Sequence, residues 1–309
     1  RGVWIWNSRG CGIRRHKAET MRIVFSIVVV FLCLAASANA QPGNSASCER
    51  VISLAPSITE ILFALGLGDR VVGVSRYSDY PVEARAKPRV GALLDPNFEA
   101  IVALRPTVVL GLSEFREKLP YLESLGLKTE TFEHRTLRGI DDSIRRIGAL
   151  CGEPQQAGVM ADDILRRIEV VKARVTGRPE VRTMVVVGES SGDGALTSLF
   201  LSGTDGFYNE LLSLAGGKNV VTSKTLGIST ISAEGVMHLN PDVIIEIVLA
   251  NGGPRLNHDA VRQAWSEVPS VSAVKNNKIF IVDQDYVSVP GPRFVRVLED
   301  FARYLHPDA

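Results

Sequence analysis

Past Gln41 the chain alternates short apolar runs with stretches whose apolar residues recur every three or four positions, a rhythm of strand and helix in turn. Val51–Ala55 predicts a strand, and Pro56–Glu60 opens a helix. Ser57 with Glu60 three residues on has capping-box spacing, and Ile61, Leu62 and Leu65 supply the apolar face. Gly66–Gly68 ends that helix. Strands follow at Val71–Val74, Thr107–Leu110 and Lys128–Phe132, with helices at Leu119–Leu125 and Leu137–Leu150. This succession predicts a mainly parallel sheet covered by helices.

A longer helical pattern then runs from Pro154 to about Val175, with Val159, Ile164, Leu165, Ile168 and Val171 on one side and charged residues on the other. At 1.5 Å per residue it would span about 33 Å, enough to run from one lobe to another. A second alternating series begins at Thr183–Val187. It predicts strands at Val243–Val248 and Lys278–Val282 and helices near Phe207–Leu214, Glu234–Leu239, Asp259–Trp265 and Arg293–Leu305. The expected fold is therefore α/β: two doubly wound lobes with mainly parallel sheets, joined by one long connecting α-helix. The boundaries are 48–153 for the first lobe, 154–178 for the connecting helix and 179–309 for the second lobe. Such a helix resists bending, so it predicts little hinge motion.

An internal repeat links the lobes. Asn97–Leu110 and Ser232–Ile245 share one spacing: a helix-capping residue two before Glu99 or Glu234, Leu five after that Glu, Pro seven after, then an apolar strand.

The N-terminal pattern bears on location. Met21–Arg22, the apolar run Ile23–Ala36 and the small residues Ala38 and Ala40 form the three regions of a secretory signal peptide over 21–40. The run is shorter than the roughly 20 residues of a membrane span. Residues 1–20 read as sequence upstream of the true start. Of the four cysteines, Cys11 and Cys33 precede the expected cleavage point. Cys48 and Cys151 remain; export permits a disulfide between them, and two free buried thiols fit the sequence equally well.

A chain of 309 residues with a formal net charge of +1 has length for two cores and no field that would attract nucleic acid or anionic lipid. It has no Gly-x-Ser-x-Gly elbow, Walker loop or dinucleotide fingerprint, so nothing in it calls for turnover. The five histidines show no metal-ligand spacing. His134 reads as a solvated loop residue, with a lone metal ligand as the alternative. The Ser190–Gly194 segment reads as a polar loop or a phosphate cradle. What remains fits a binder without catalytic residues, cofactor or metal. Tyr77–Pro81 and Asp283–Tyr286 bring aromatic and polar side chains to strand ends, as a cleft for a large flat ligand requires.

From about Cys48 to Pro307 the chain resembles the class III periplasmic solute-binding proteins, carriers of cobalamin, haem and iron–siderophores. The segments that carry the likeness are Arg50–Glu60, Val72–Pro81, Pro96–Glu99 with Leu104–Pro106, Ala215–Asn219 and Ser232–Glu234. The resemblance implies an exported, monomeric, non-enzymatic protein that binds a small molecule and hands it to an ABC importer. Within the family, Tyr77–Pro81 looks most like the cobalamin carriers. That implies a corrinoid ligand, with Tyr77, Asp285 and Tyr286 in the cleft. Two cleft tryptophans of those carriers fall at Leu93 and Ile228 here. Haem carriers place a Tyr ligand in the segment matching Gly91–Pro96, which has none. A ferric siderophore, with Arg76 and Arg255 in a basic cleft, or haem is the other implied ligand, and an extracytoplasmic enzyme on a doubly wound α/β scaffold is the alternative from another class. The resemblance also implies that Glu99 and Glu234 dock onto arginines of a permease dimer.

Overall fold

The computed structural model describes Gly2, residues 48–92, 94–188, Leu196, and residues 199–224, 228–248 and 258–308. The expected signal peptide, Cys11, Cys33, Leu93, the 190–194 loop and Arg255 lie outside them.

The first half contains β1 (Val51–Ser53), α1 (Pro56–Ala64), β2 (Val71–Val74), α2 (Phe98–Ala103), β3 (Val108–Leu112), α3 (Leu119–Ser124), β4 (Thr129–Phe132) and α4 (Leu137–Cys151). Its sheet runs β2-β1-β3-β4 with every pairing parallel. The connecting helix α5 is Pro154–Val175. The second half contains β5 (Val181–Val187), β6 (Leu199–Ser202), α6 (Phe207–Leu214), β7 (Gly217–Asn219), β8 (Ile228–Ile231), α7 (Ala233–Leu239), β9 (Val243–Ile247), α8 (His258–Trp265), α9 (Ser272–Lys275), β10 (Ile279–Val282) and α10 (Phe294–Leu305). Its sheet runs β10-β9-β5-β6-β8, with β7 also on β5. β10, β9, β5 and β7 are parallel, whereas β6 is antiparallel to both β5 and β8. Neither β6 nor β8 was read from the sequence.

The central strands of both sheets, β1 and β3 in the first and β5 and β9 in the second, are buried on two faces, as parallel strands under crossover helices must be. Successive strand residues point to opposite faces. Ile52 and Val109 therefore enter one cluster with Ile101 and Phe115, and Met184, Val186 and Ile244 another around Trp265. Val51, Val185 and Ile245 point the other way, into a core that both halves share through Ile164, Ile168 and Val171 of α5 and Phe301 of α10. Gly148 lets α4 and α5 approach closely; a Cβ there would lie 2.3 Å from that of Ala157. Arg167 of α5 binds Glu299 of α10 through two hydrogen bonds of 2.9 and 2.8 Å. The connecting helix is thus a shared wall, not an exposed tether.

The repeat is visible in three dimensions. Asn97 and Ser232 cap α2 and α7, their side chains accepting from the amides of Ala100 and Gly235. Arg105 and Asn240 both take the left-handed conformation (φ 46° and 41°) immediately before Pro106 and Pro241. A matching arginine at the head of the adjacent strand clasps each turn: Arg50 donates to the carbonyl of Leu104 at 2.6 Å, and Arg182 to that of Leu239 at 2.8 Å. The carbonyls of the same two arginines accept from Thr107 and Asp242, each at 2.8 Å. Cys48 and Cys151 form a disulfide, which closes one of the two alternatives left by the sequence.

The Ser57–Glu60 capping box is a correction. Pro56 occupies the first helical position and suits it, because its missing N–H leaves nothing unpaired there. The cap therefore falls on Ala55, without a side-chain bond. Ser57 and Glu60 move into the first turns of α1, buried, where both turn to tertiary partners.

Candidate functional site

Parallel sheets offer ligands the crevice beyond the carboxyl ends of their strands, where crossovers diverge to opposite sides. In the first sheet that point lies between β1 and β3, and in the second between β5 and β9. A pocket of about 330 Å³ opens there between the halves. Leu112, Glu114, His134 and Arg135 line it from the first half, and Val187, Ser202 and the Asp205–Tyr208 turn from the second. Ser288 and Pro290, on the approach to α10, complete the wall. Most of this surface is apolar, with polar groups concentrated at a few points, which is the usual make-up of a small-molecule site.

His134 is the most altered of the polar groups. It is 3% exposed, its Nδ1 shares a 2.8 Å hydrogen bond with Ser57 Oγ, and its Nε2 has no hydrogen-bond partner. Burial pushes its pKa down to about 4, against a weaker opposing pull from the Glu114 carboxylate. The expectation of a solvated loop histidine is therefore overturned: α1 packs over the loop after β4 and covers the ring. Burial also works to raise the Glu114 carboxyl, but its own backbone N–H and Arg135 at 2.8 Å outweigh that and hold it below the ordinary value. Tyr208 donates to the carbonyl of Val287 at 2.8 Å, fixing its ring in the wall.

The His134 shift has a measurable consequence. The unfolded chain takes up a proton near pH 6.5 and the folded one only near 4. Folding stability is then intact above pH 6.5 and falls by about 3 kcal/mol as pH drops towards 4. Denaturant titrations at pH 7.5 and 4.5 should show this loss in the wild type and a clearly smaller one in His134→Gln.

Beside the pocket the two halves are joined by a buried ion pair. Arg293 sits at the cap of α10 and donates to both oxygens of Glu60 in α1, at 2.9 and 2.7 Å. The side chains are only 10% and 3% exposed. Asp285 takes the remaining face of the guanidinium at 2.9 and 2.8 Å, and the Tyr80 ring lies 3.5 Å beneath it. Desolvation is the largest influence on both groups; it raises Glu60, whereas on Arg293 the carboxylates overcome it and raise that pKa too. A second link runs from the amide of Leu137, at the head of α4, to Glu210 of α6 at 2.9 Å.

The structure brings Asp285 and Tyr80 together, but around Arg293 and not on the pocket wall. Tyr77 is exposed, 55% accessible. Tyr286 is half-buried and donates to Asp300 at 2.7 Å. Ile228 belongs to β8, with its side chain outside the described residues, like Leu93. Sequence reasoning missed Glu60, Arg293 and Tyr208. One signal was present: Glu60 stands among Ile58, Ile61 and Leu62, where a lone carboxylate on an apolar helix face calls for a buried cation. Glu99 and Glu234 lie exposed in the first turns of α2 and α7. Among the described residues there is no cluster of three or more metal-ligating side chains and no helix long and apolar enough to cross a membrane.

Known proteins resemble this chain in sequence and fold. An ABC transporter substrate-binding lipoprotein of Bacillus subtilis (strain 168), YvrC, itself uncharacterised, is 30% identical over 84% of this chain and 81% of its own. The vitamin B12-binding protein of Vibrio cholerae is 29% identical over 92% and 98%. The crystal structure of the periplasmic vitamin B12-binding protein BtuF of Vibrio cholerae superposes with a TM-score of 0.70 at 27% identity, covering 83% of this chain and 96% of that one. The periplasmic binding protein family model matches residues 51–286. This chain belongs to the periplasmic binding proteins, the non-enzymatic substrate-binding components of ABC transporters.

Proposed function

We propose that this protein is exported to the periplasm, captures a corrinoid between its two halves and delivers it as a monomer to the permease dimer of an ABC importer. The observation that carries the reading is the apolar interlobe pocket at the carboxyl ends of both sheets. The kinship with vitamin B12-binding proteins supports it. A corrinoid is larger than about 330 Å³, so on this reading part of the macrocycle projects past the pocket to an aromatic rim. Tyr77 is the ring we assign to that rim, by stacking. Asp285 and Tyr286, held by Arg293 and Asp300, border the same mouth in this reading and orient the ligand's polar edge. A haem or ferric chelate on the same scaffold is the second reading. The unpartnered Nε2 of His134 favours it, because a neutral imidazole nitrogen ligates iron well.

Calorimetric titration of the mature chain with cyanocobalamin, haemin and ferric hydroxamate separates the readings. Tight stoichiometric binding of cyanocobalamin alone is the expected result. Tight haemin binding that is lost in His134→Ala would replace the corrinoid with haem. Tyr77→Ala should weaken cyanocobalamin binding about tenfold with the fold intact, the value of one well-stacked ring. Unchanged affinity would remove Tyr77 from the site.

Delivery is assigned to Glu99 and Glu234, one carboxylate on each copy of the repeat, meeting basic residues on two equivalent permease subunits. Glu99→Ala combined with Glu234→Ala should leave ligand affinity unchanged and abolish uptake. Normal uptake by that double variant would defeat the assignment.

A further inference from the structure

The duplicated surface around Glu99 and Glu234 extends beyond the two acids. Over seven positions, Phe98–Leu104 and Ala233–Leu239, burial follows one pattern: an exposed glutamate second, a buried aliphatic residue (Ile101 or Val236) fourth, an exposed apolar residue fifth. That fifth residue is Val102 in the first copy and Met237 in the second, 41% and 43% exposed. Each lies three residues past its glutamate, so acid and apolar side chain sit on the same side of the helix one turn apart. The turn beneath is held in the same way in both copies, by the left-handed residue before proline and the arginine clasp.

A single exposed aliphatic residue needs no explanation in a soluble protein. Recurrence at the same position of two copies, each time beside an exposed acid, does need one. The chemistry of the two fifth residues differs, Val against Met, yet both are large, apolar and uncovered. Two like surfaces on one chain match a partner that presents one complementary surface twice.

We propose that Val102 and Met237 are the apolar half of the docking surface, each inserting into a recess beside the cation that receives Glu99 or Glu234. The occupant is a two-fold symmetric membrane permease, carrying on each subunit a basic side chain flanked by an apolar socket. This rests on the assignment of the two glutamates to docking. Charge steers the approach and sets orientation, while the desolvated apolar contact slows release.

Binding of the ligand-loaded protein to the cognate importer in lipid nanodiscs, followed by interferometry, tests this. Val102→Asn and Met237→Asn remove the apolar contact without altering charge. Each should weaken binding about tenfold and the pair about a hundredfold, mainly through faster release. The exchange variant carrying Val102→Met with Met237→Val keeps both positions apolar and should bind within about threefold of wild type. Circular dichroism and ligand titration check that the exposed sites leave the fold intact. If the asparagine variants bind like wild type while Glu99→Ala and Glu234→Ala weaken binding, the inference falls and the docking acids stand. If glutamate and asparagine variants alike bind as wild type, the docking surface itself is wrong and the inference falls with it.

Discussion

Arg293→Met should destabilise the protein by about 3–5 kcal/mol, the range found when one partner of a buried ion pair is removed. The cost arises mainly at the residue left behind. Glu60 is 3% exposed, and its neighbours on α1 are Ile58, Ile61 and Leu62, all fully buried. Without Arg293 its charge has no hydrogen-bonded cation, and burial already lifts its pKa with the arginine present. The variant should therefore hold Glu60 protonated to a higher pH. An acid whose folded pKa lies above its unfolded value gains stability as pH falls, so the gap between Arg293→Met and wild type should narrow from pH 7.5 to pH 5. Asp285 contributes little to the penalty, since its side chain is 58% exposed and can rehydrate. Combining Arg293→Met with Glu60→Leu replaces the pair by apolar groups and should recover most of the loss. Denaturant midpoints for the two single variants and the double at both pH values give the answer. A double variant as unstable as Arg293→Met would show that the cost lies in lost packing of the arginine stem.

The ion pair also ties the two halves together close to the pocket. Glu60 belongs to the first half and Arg293 to the second, 233 residues apart, and they meet beside the pocket. Ser57, one turn before Glu60 on α1, holds His134 in the pocket wall. Pocket wall and interlobe contact therefore share one rigid helix. The core common to both halves and the α5 wall add to this stiffness, so ligand entry should require only small relative motion.

The sequence made the architecture legible because its signals are local. Pro154 and the periodic aliphatic residues of α5 define a helix without reference to anything distant, and the extent read as Pro154 to about Val175 agrees with the structure, although Val159 and Leu165 lie exposed and not on the buried side. The repeat was legible because its cap, acid, leucine and proline stand within fourteen positions. The arginine clasp belongs to the same repeat but escaped notice, because Arg50 and Arg182 lie some 55 residues from the turns they hold. β6 and β8 escaped because four-residue strands with mixed polarity, Leu199–Ser202 and Ile228–Ile231, carry too little pattern. The site was the least legible part. His134 and Tyr208 owe their roles to burial by elements far off in the chain, and only pairing at a distance separates a buried Glu60 from a helix-capping one. Tyr77 was singled out because a strand followed by a run of aromatic and polar residues marks a loop at a sheet end, yet it lies exposed and is not among the residues that line the pocket.

Cys48→Ala with Cys151→Ala should cost stability on a similar scale, by a different route. The bridge spans 103 residues and ties the residue just before β1 to the last turn of α4, so it encloses nearly the whole first half. Closing a loop of that length restricts the unfolded chain by about 4.7 kcal/mol in the chain-entropy model, with measured losses of about 2–5 kcal/mol. Both cysteines are fully buried, and truncation to alanine adds only a small cavity term. The folded state keeps other ties nearby: Arg70 donates to the carbonyl of Cys151 at 2.8 Å, and α4 remains packed on α5. The fold and the pocket should therefore survive, with a lower denaturant midpoint and unchanged ligand affinity at 25 °C. Unfolding the wild type in dithiothreitol should reproduce the variant's midpoint, whereas dithiothreitol should leave the variant unaffected. The same reasoning links stability to location, since a disulfide of this kind forms and persists in an oxidising compartment. Protein retained in a reducing cytosol should match the double alanine variant, and protein exported before folding should match the oxidised wild type. Equal midpoints for the two preparations, with thiol titration confirming their different redox states, would show that the first half draws its stability from packing alone.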